Sequence, residues 1–278
     1  MPLAADRRVK ILERVAEGAS LQVGELAREF GCSEMTIRRD IQRLERDGFL
    51  RRTYGGATAH LTRDLDVAFN ARSLANAPAK RLIGLVAARL LGSARTVFVG
   101  IGTTAEQFAR YLPSRPDLTV VTGSLPIAGM LGTRPSRGVV LGGTIRRDEL
   151  SCIGPAARAT LERYRFDLAV IGTGGLSARR GLTDLNDDEA EINRVAVERS
   201  ERLMVIADGS KLGQVTPAVV APAAAIHVLV TDASAPLDEL EQLRALGIEI
   251  VIAAPGARRH GEPESSTGAQ LQAEAIRE

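Results

Sequence analysis

The sequence predicts an α/β protein preceded by a small, mainly helical domain. From residue 80 to residue 254, short segments rich in Val, Ile and Leu alternate with segments of helical spacing. This pattern is typical of a mainly parallel sheet with helices on both faces. The first 60 residues show helical spacing and then a glycine-containing hairpin. We therefore expect a first domain at residues 1–60, a linker at 61–78, an α/β domain at 79–254 and a disordered tail at 255–278.

Composition limits the classes of protein to which the chain can belong. No apolar run approaches the roughly 18 residues of a membrane span, and the charged N-terminus leads into no apolar signal segment. Cys32 and Cys152 lie far apart without a neighbouring Cys or His, so we expect neither a zinc site nor a disulfide framework. These features favour a cytoplasmic protein with no metal, no cofactor and no membrane partner.

Three helices and a hairpin are expected in the first domain. Residues 6–17 and 25–30 have helical apolar spacing, and a short Gly-containing turn precedes a third helix. Ser33 can cap that helix, because its hydroxyl can accept a hydrogen bond from an orphan backbone N–H. Gly48 is expected to end it. The buried stripe of the third helix is expected to contain Ile37, Ile41 and Leu44.

The opposite face of the third helix is basic. Six arginines stand against three acids between residues 38 and 52, a local surplus of +3 in a chain whose net charge is only +2. An arginine-rich face is most often a solvated surface, and three short helices also fit a protein-binding bundle. Arg51 and Arg52, just before a Gly55–Gly56 tip, favour instead the wing of a winged helix-turn-helix.

Such a domain would bind double-stranded DNA through the third helix and the wing. The start of the helix would reach base edges, and the later arginines would reach phosphates. Asp40 is expected to orient a neighbouring arginine. The predicted DNA-contacting residues are Ser33, Glu34, Met35, Thr36, Arg38, Arg39, Arg43, Arg46, Arg51, Arg52, Tyr54, Gly55 and Gly56.

These residues resemble the N-terminal signature of the DeoR family of bacterial transcriptional regulators. The resemblance lies in Thr36-Ile37-Arg38-Arg39-Asp40, Leu44-Glu45, Gly48 and Arg52-x-Tyr54-Gly55-Gly56-Ala57. The chain departs from the family pattern at Ile41, where Leu is usual, and at Tyr54, where His is usual. A tyrosine hydroxyl can also donate to a phosphate.

Seven strands and six helices are expected in the second domain. Its near-continuous apolar strands should be buried on both faces, with helices between them. The predicted strands are 96–100, 118–122, 138–142, 168–172, 203–207, 226–230 and 248–252, and the predicted helices are 80–91, 104–111, 124–131, 155–164, 187–202 and 236–245.

The carboxyl ends of five strands are rich in Gly, Thr and Ser. Ligands of open α/β sheets bind at these ends, and backbone N–H groups at a helix start bind anions. One such end is more often only a tight turn, but five of them favour a small phosphorylated ligand. The predicted ligand-binding residues are Gly102, Thr103, Thr104, Thr122, Ser124, Gly142, Gly143, Gly174, Gly181, Asp184, Asp208 and Lys211.

The resemblance to the DeoR family extends over residues 5–254. It implies an effector domain that is similar in fold to ribose-5-phosphate isomerase and that senses a phosphorylated sugar. It also implies that Gly102, Thr103 and Thr104 hold the phosphate, while Asp208 and Lys211 meet the sugar or its charge. Two departures bear on which effector fits or on how its signal is passed on: Gly123 replaces the usual Asn, and Asn193 replaces the usual Lys.

Two functions compete on these observations. The first is a repressor that binds operator DNA as a homo-oligomer and responds to a phosphorylated sugar. The second is a sugar-phosphate isomerase with an accessory DNA-binding domain, which would need a carboxylate base. Residues 172–175 after the fourth strand hold no carboxylate, and the acids at 184–189 are typical of a helix start. The sequence therefore favours a regulator that is not an enzyme, while a pure interaction module would leave the Gly-rich strand ends unexplained.

Overall fold

The computed structural model describes residues 7–8, 10–11, 14, 21–46, 51–53, 56–58, 72–147 and 149–254. Several expectations fall outside these residues. They are the end of the third helix at Gly48, Tyr54 and Gly55 in the wing, most of the predicted linker, and the tail from residue 255.

The N-terminal domain contains helices packed against a small antiparallel sheet. Arg7, Ile11 and Arg14 are helical, and Ile11 is fully buried. The following elements are β1 (Leu21–Gln22), α1 (Val23–Glu29), α2 (Glu34–Arg46), β2 (Arg51–Thr53) and β3 (Gly56–Thr58), with the strands in the order β1-β3-β2.

This arrangement confirms the predicted winged helix-turn-helix and corrects two details. β1 was not predicted, because a two-residue strand shows no alternation; Leu21 pairs with Ala57 of the wing. Gly56 is not part of the turn but the first residue of β3, where it pairs with Thr53. The connection between the two wing strands is therefore only two residues long.

A seven-stranded, fully parallel sheet forms the second domain and confirms the predicted α/β fold. Its order is β15-β14-β12-β9-β4-β5-β6. The strands are β4 (Thr96–Val99), β5 (Thr119–Thr122), β6 (Arg137–Val140), β9 (Leu168–Ile171), β12 (Leu203–Ile206), β14 (Val228–Asp232) and β15 (Glu249–Ala253). The helices are α3 (Ala77–Arg89), α4 (Thr103–Arg110), α5 (Leu125–Leu131), α6 (Pro155–Leu161), α7 (Asp187–Glu198) and α8 (Leu237–Ala245).

Alternate residues of the central strands supply two separate apolar cores, one on each face of the sheet. Phe98 and Ala169 belong to one core, whereas Val97, Val99 and Val170 belong to the other. Burial on both faces explains why these strands are continuous apolar runs rather than alternating ones. The sheet reverses its direction of winding between β4 and β9, where open α/β sheets bind their ligands.

Five short strands lie outside the main sheet and were not predicted. β7 (Thr144–Arg146) pairs with β8 (Ser151–Ile153), and β10 (Gly175–Ser177), β11 (Gly181–Asp184) and β13 (Ala218–Ala221) form a second antiparallel sheet. Each has three or four residues, which is too few to show a clear alternation in the sequence. Their importance is positional, because they bring the loop after β7 and the end of β11 to the same edge of the main sheet.

Candidate DNA-binding surface and ligand pocket

The start of α2 is capped by Ser33. The Ser33 hydroxyl accepts a hydrogen bond from the backbone N–H of Thr36 at 3.2 Å, and the two hydroxyls lie 2.9 Å apart. Ile37, Ile41 and Leu44 are buried as predicted. The cap and the stripe together fix which face of α2 points outward.

The outward face of α2 carries the predicted DNA-contacting side chains. Met35 is 58% exposed, and Arg38, Arg39 and Arg43 are also exposed. Arg38 makes a surface ion pair with Glu34, with Nη2 and Oε2 3.4 Å apart. Ion pairs as exposed as this one are weak, so a phosphate or a base edge can compete for the guanidinium.

Asp40 has a different partner from the one expected. It is buried, and its Oδ2 accepts a hydrogen bond from the Nε of Arg7 at 2.6 Å. Position 40 lies three residues after Ile37 and four before Leu44, so it shares their face rather than the basic one. The pair thus joins the first helix to α2 and orients no residue of the DNA-contacting face.

For four further predicted DNA contacts, the structure describes only the position of the backbone: Arg46, Arg51, Arg52 and Gly56. Arg46 is the last residue of α2, Arg51 and Arg52 lie in β2, and Gly56 lies in β3. Arg52 pairs with Ala57 across the wing. Four residues outside the described ranges, 47–50, separate the end of α2 from the basic strand β2.

A pocket of about 140 Å³ opens at the carboxyl ends of β4, β9 and β12. It lies at the point where the winding of the sheet reverses. Seven of the twelve predicted ligand-binding residues line it: Gly102, Thr103, Thr104, Gly174, Asp184, Asp208 and Lys211.

The other five predicted residues lie outside this pocket and have structural roles. Thr122 is the last residue of β5, which is one strand farther along the sheet, and Ser124 follows it. Ser124 caps α5 by accepting the N–H of Ile127 at 3.3 Å. Gly143 has φ of 112°, and a Cβ there would stand 2.5 Å from the carbonyl oxygen of Ile153. Gly142 precedes it after β6, and Gly181 is the first residue of β11, where it pairs with Ser177.

Three cationic side chains line the pocket beside the N-terminus of α4. They are Arg72, Lys80 and Lys211. Burial lowers the pKa of Lys80 to about 8, Asp208 opposes this effect, and the charges of Lys211 and Arg72 add to it. The Lys80 Nζ donates to the carbonyl oxygen of Arg72 at 2.5 Å. The pocket therefore concentrates positive charge where the N–H groups of residues 103 and 104 begin α4.

Four carboxyl groups complete the polar lining: Glu149, Asp184, Glu189 and Asp208. Burial raises the pKa of Glu149 to about 7 against the opposing charge of Arg72, and burial also raises the pKa of Asp184 and of Glu189. Asp208 accepts hydrogen bonds from the Nδ2 of Asn76 at 3.0 Å and from the hydroxyl of Ser210 at 2.5 Å. Acceptors and cations thus face one small cavity together.

Sequence reasoning missed Arg72, Asn76 and Glu149, and it treated Lys80 only as the start of a helix. One signal in the sequence could have found Lys80. The chain contains only three lysines, at positions 10, 80 and 211, and two of them line the pocket. In a chain that otherwise uses arginine almost throughout, a lysine is a signal for a position that suits a compact, titratable cation.

The two departures from the DeoR pattern lie next to the pocket. Asn193 is buried, and its Nδ2 lies 3.4 Å from Oδ2 of Asp184. A Cβ at Gly123 would stand 3.2 Å from the carbonyl oxygen of Cys152. Gly123 and Asn193 share the lining of a separate cavity of about 10 Å³, which also touches Glu189. Asn193 therefore contacts a carboxylate of the pocket directly, whereas Gly123 only shares the lining of this small cavity with Glu189.

Two kinds of feature are absent from the residues described. Within them, no helix is long and apolar enough to cross a membrane. In the same ranges, His, Cys, Asp and Glu form no cluster that could hold a metal ion.

Two family models match the two parts of the chain, and solved structures match it at low identity. The family model of the DeoR-like helix-turn-helix domain matches residues 7–62, and that of the DeoR C-terminal sensor domain matches residues 75–233. The ribose 5-phosphate isomerase A of Methanocaldococcus jannaschii matches 49% of this chain and 55% of its own with 17% identity and a TM-score of 0.37. The sorbitol operon regulator SorC of Klebsiella pneumoniae matches 76% of this chain and 91% of its own with 12% identity and a TM-score of 0.31.

Two curated relatives match nearly the whole chain. The transcriptional regulator GlpR of Haloferax volcanii is 32% identical over 90% of this chain and 98% of its own length. The putative aga operon transcriptional repressor of Escherichia coli O157:H7 is 31% identical over 89% of this chain and 93% of its own. This chain therefore belongs to the DeoR family and is a transcriptional regulator, not an enzyme.

Proposed function

We propose that the chain is a repressor of a sugar-catabolism operon and that a phosphorylated sugar in the pocket controls its binding to operator DNA. One observation carries the proposal: the pocket places three cations and the start of a helix beside four carboxyl groups. A phosphate needs the first set and sugar hydroxyls need the second. The Escherichia coli relative named as an aga operon repressor supports the same kind of target.

The phosphate end of the ligand is assigned to the start of α4. Gly102 has φ of 101°, and a Cβ there would meet no atom within 4 Å, so the backbone is open to an approaching ligand. The N–H groups of Thr103 and Thr104 begin the helix and carry its partial positive charge. Lys80 and Lys211 supply full charges beside them.

The hydroxyl end of the ligand is assigned to the carboxylates. Asp208 is almost completely buried, and it is held in place by Asn76 and Ser210. Asp184 also lines the cavity, and its Oδ1 accepts the N–H of Leu185 at 2.9 Å. A carboxylate that is already fixed can accept sugar hydroxyls without a further loss of side-chain entropy.

On the DNA side, the exposed face of α2 would read bases and the wing would hold phosphates. The residues assigned to base edges lie at the start of the helix, where base edges come within reach: Glu34, Met35, Thr36 and either Arg38 or Arg39. Phosphate contacts are assigned to Arg43, Arg46, Arg51, Arg52 and Tyr54. Repeated operator half-sites require a homo-oligomer, and a regulator of this kind works in the cytoplasm, where bacterial DNA lies.

Two measurements on the full chain test the proposal. A thermal-shift panel would compare glucose 6-phosphate, fructose 6-phosphate, ribose 5-phosphate and glycerol 3-phosphate with the same compounds without phosphate. Fluorescence anisotropy with the DNA upstream of the gene would then show whether a stabilising compound changes operator binding. We expect at least one phosphorylated compound to raise Tm and weaken DNA binding, whereas its unphosphorylated form does neither. Equal shifts from both forms would refute a phosphate site.

A further inference from the structure

Residues 72–76, which we call the junction segment, connect the two domains along the chain. They follow the interval 59–71 after the wing and lead directly into α3 at Ala77. Any signal that travels along the backbone from the pocket to the DNA-binding domain passes through them. Their contacts therefore bear on how the ligand could control DNA binding.

Three polar contacts tie the junction segment to the pocket, and each uses a different element. The Nη2 of Arg72 lies 2.5 Å from Oε1 of Glu149, in the loop between β7 and β8. The carbonyl oxygen of Arg72 accepts from Nζ of Lys80 on α3 at 2.5 Å. The Nδ2 of Asn76 donates to Oδ1 of Asp208, after β12, at 3.0 Å.

Asn76 has a left-handed backbone at the point where its side chain contacts Asp208. It occupies the N-cap position of α3 with φ of 53° and ψ of 27°, a left-handed conformation. An N-cap Asn usually accepts an N–H of the following turn, but the side chain of Asn76 makes no such bond. Strain of this kind persists where the surrounding structure requires it and is found at functional sites.

The ligand would need the same groups that hold the junction segment. Arg72, Lys80 and Asp208 all line a pocket of only about 140 Å³. A phosphate close to Arg72 and Lys80 would draw their charges away from Glu149 and from the Arg72 carbonyl. Glu149 would then face the phosphate as a like charge, and the loop that carries it would move away.

We propose that Asn76 and Glu149 are positioning residues that hold the junction segment in its operator-binding arrangement, and that the ligand releases this segment by competing for its contacts. The inference rests on the proposed function, because it assumes a phosphorylated ligand in this pocket. Neither residue needs to touch DNA. By linkage, a ligand that lowers operator affinity by a given factor must itself bind the operator-bound protein more weakly by the same factor.

Two variants and a matched control test the proposal in the full chain. Glu149→Gln removes the charge that pairs with Arg72, and Asn76→Gly removes the amide while keeping a residue that tolerates positive φ. Glu162→Gln breaks an exposed surface ion pair with Arg158 and serves as the control. Operator affinity would be measured without ligand and at saturation with the phosphorylated compound from the panel above, and calorimetry would give each variant's ligand Kd.

We expect both variants to bind operator about 5- to 10-fold more weakly without ligand, and the further effect of ligand to shrink by the same factor. The control should match the unaltered protein. An unchanged ligand effect in both variants would overturn the proposal. Complete loss of ligand binding in both would also overturn it, since the residues would then be binding rather than positioning residues.

Hydrogen–deuterium exchange on the unaltered protein supplies a test that needs no variant. With the same compound, and with inorganic phosphate as a second probe, the amides of residues 72–80 should exchange faster when the pocket is occupied. Unchanged exchange there at saturation would refute release of the segment. If no phosphorylated compound binds the unaltered protein, the proposed function fails instead, so the two failures are distinguishable.

Discussion

Glu106 offers the sharpest test of the energetics of the second domain. It lies on α4, where its side chain is 8% exposed and its Oε1 has no hydrogen-bond partner within the part of the chain described. Burial raises the pKa of Glu106 to about 7 from the usual 4.5, and the charge of Arg110 opposes this only in part. Replacing it by Gln keeps the shape of the side chain and removes its charge at every pH.

The expected gain follows from that pKa. The folded state binds the proton more tightly than the unfolded state, so this contribution to stability is fully present below about pH 4.5 and is lost as the pH rises through 7. A pKa raised from 4.5 to about 7 corresponds to roughly 3 kcal/mol of destabilisation at high pH. Glu106→Gln should escape this cost, and its advantage over the unaltered protein should grow by about 2 kcal/mol between pH 5 and pH 8.

Urea unfolding of the full chain at pH 5 and pH 8, followed by circular dichroism, measures the effect. Glu241→Gln is the matched control, because Glu241 is an exposed residue of α8 and its replacement should change little at either pH. An equal advantage for Glu106→Gln at both pH values would refute burial as the source of the effect. A variant less stable than the unaltered protein at pH 8 would show that the carboxylate has a stabilising partner.

Four further results are expected. Arg39→Ala should weaken operator binding by about 1–3 kcal/mol and leave the thermal shift from the sugar phosphate intact; loss of both would indicate misfolding. Lys211→Ala should remove the response to the sugar phosphate and keep operator binding, and an unchanged response would exclude Lys211 from the site. Asp40→Asn removes one charge of a buried ion pair and should cost about 3 kcal/mol in urea unfolding, so a loss below about 1 kcal/mol would contradict the role given to that pair. Operator affinity should fall with salt at a log–log slope of about −0.9 per phosphate contacted. Arg43→Ala should reduce the size of that slope by about 1. The same slope in Arg43→Ala and in the unaltered protein would exclude a phosphate contact by Arg43.

The main sheet could be predicted from the sequence because its strands are long enough to form continuous apolar runs, which indicate burial on both faces. The segment at 168–171, Leu-Ala-Val-Ile, is buried at every position, and only a strand covered on both faces or a buried helix has such a run. β11 and β13 could not be predicted in this way. They pair residues such as Leu182 and Ala221, nearly 40 positions apart, and that pairing follows from tertiary packing rather than from local pattern.

The pocket residues that follow strands could be predicted from the sequence. The pocket residues that come from loops between the strands and helices could not. Gly102, Thr103 and Asp208 follow strands directly, so the rule for parallel sheets places them at one edge. Arg72 and Glu149 come from a segment before a helix and from a loop in an unpredicted hairpin. Nothing near them in the sequence specifies the 2.5 Å contact that joins them.

The presence of a lysine rather than an arginine at position 80 is explained by the neighbouring positive charges of Arg72 and Lys211. Its amine is buried beside Arg72 and Lys211, so a permanent cation there would be costly before any anion arrives. An arginine stays charged at every accessible pH, whereas a lysine with a pKa of about 8 can give up its proton just above neutrality. A bound phosphate would favour the charged amine and raise that pKa again. A lysine at this position would therefore reduce the cost of burying a cation in the pocket and would still supply a charge to a bound anion, whereas an arginine would supply only the charge.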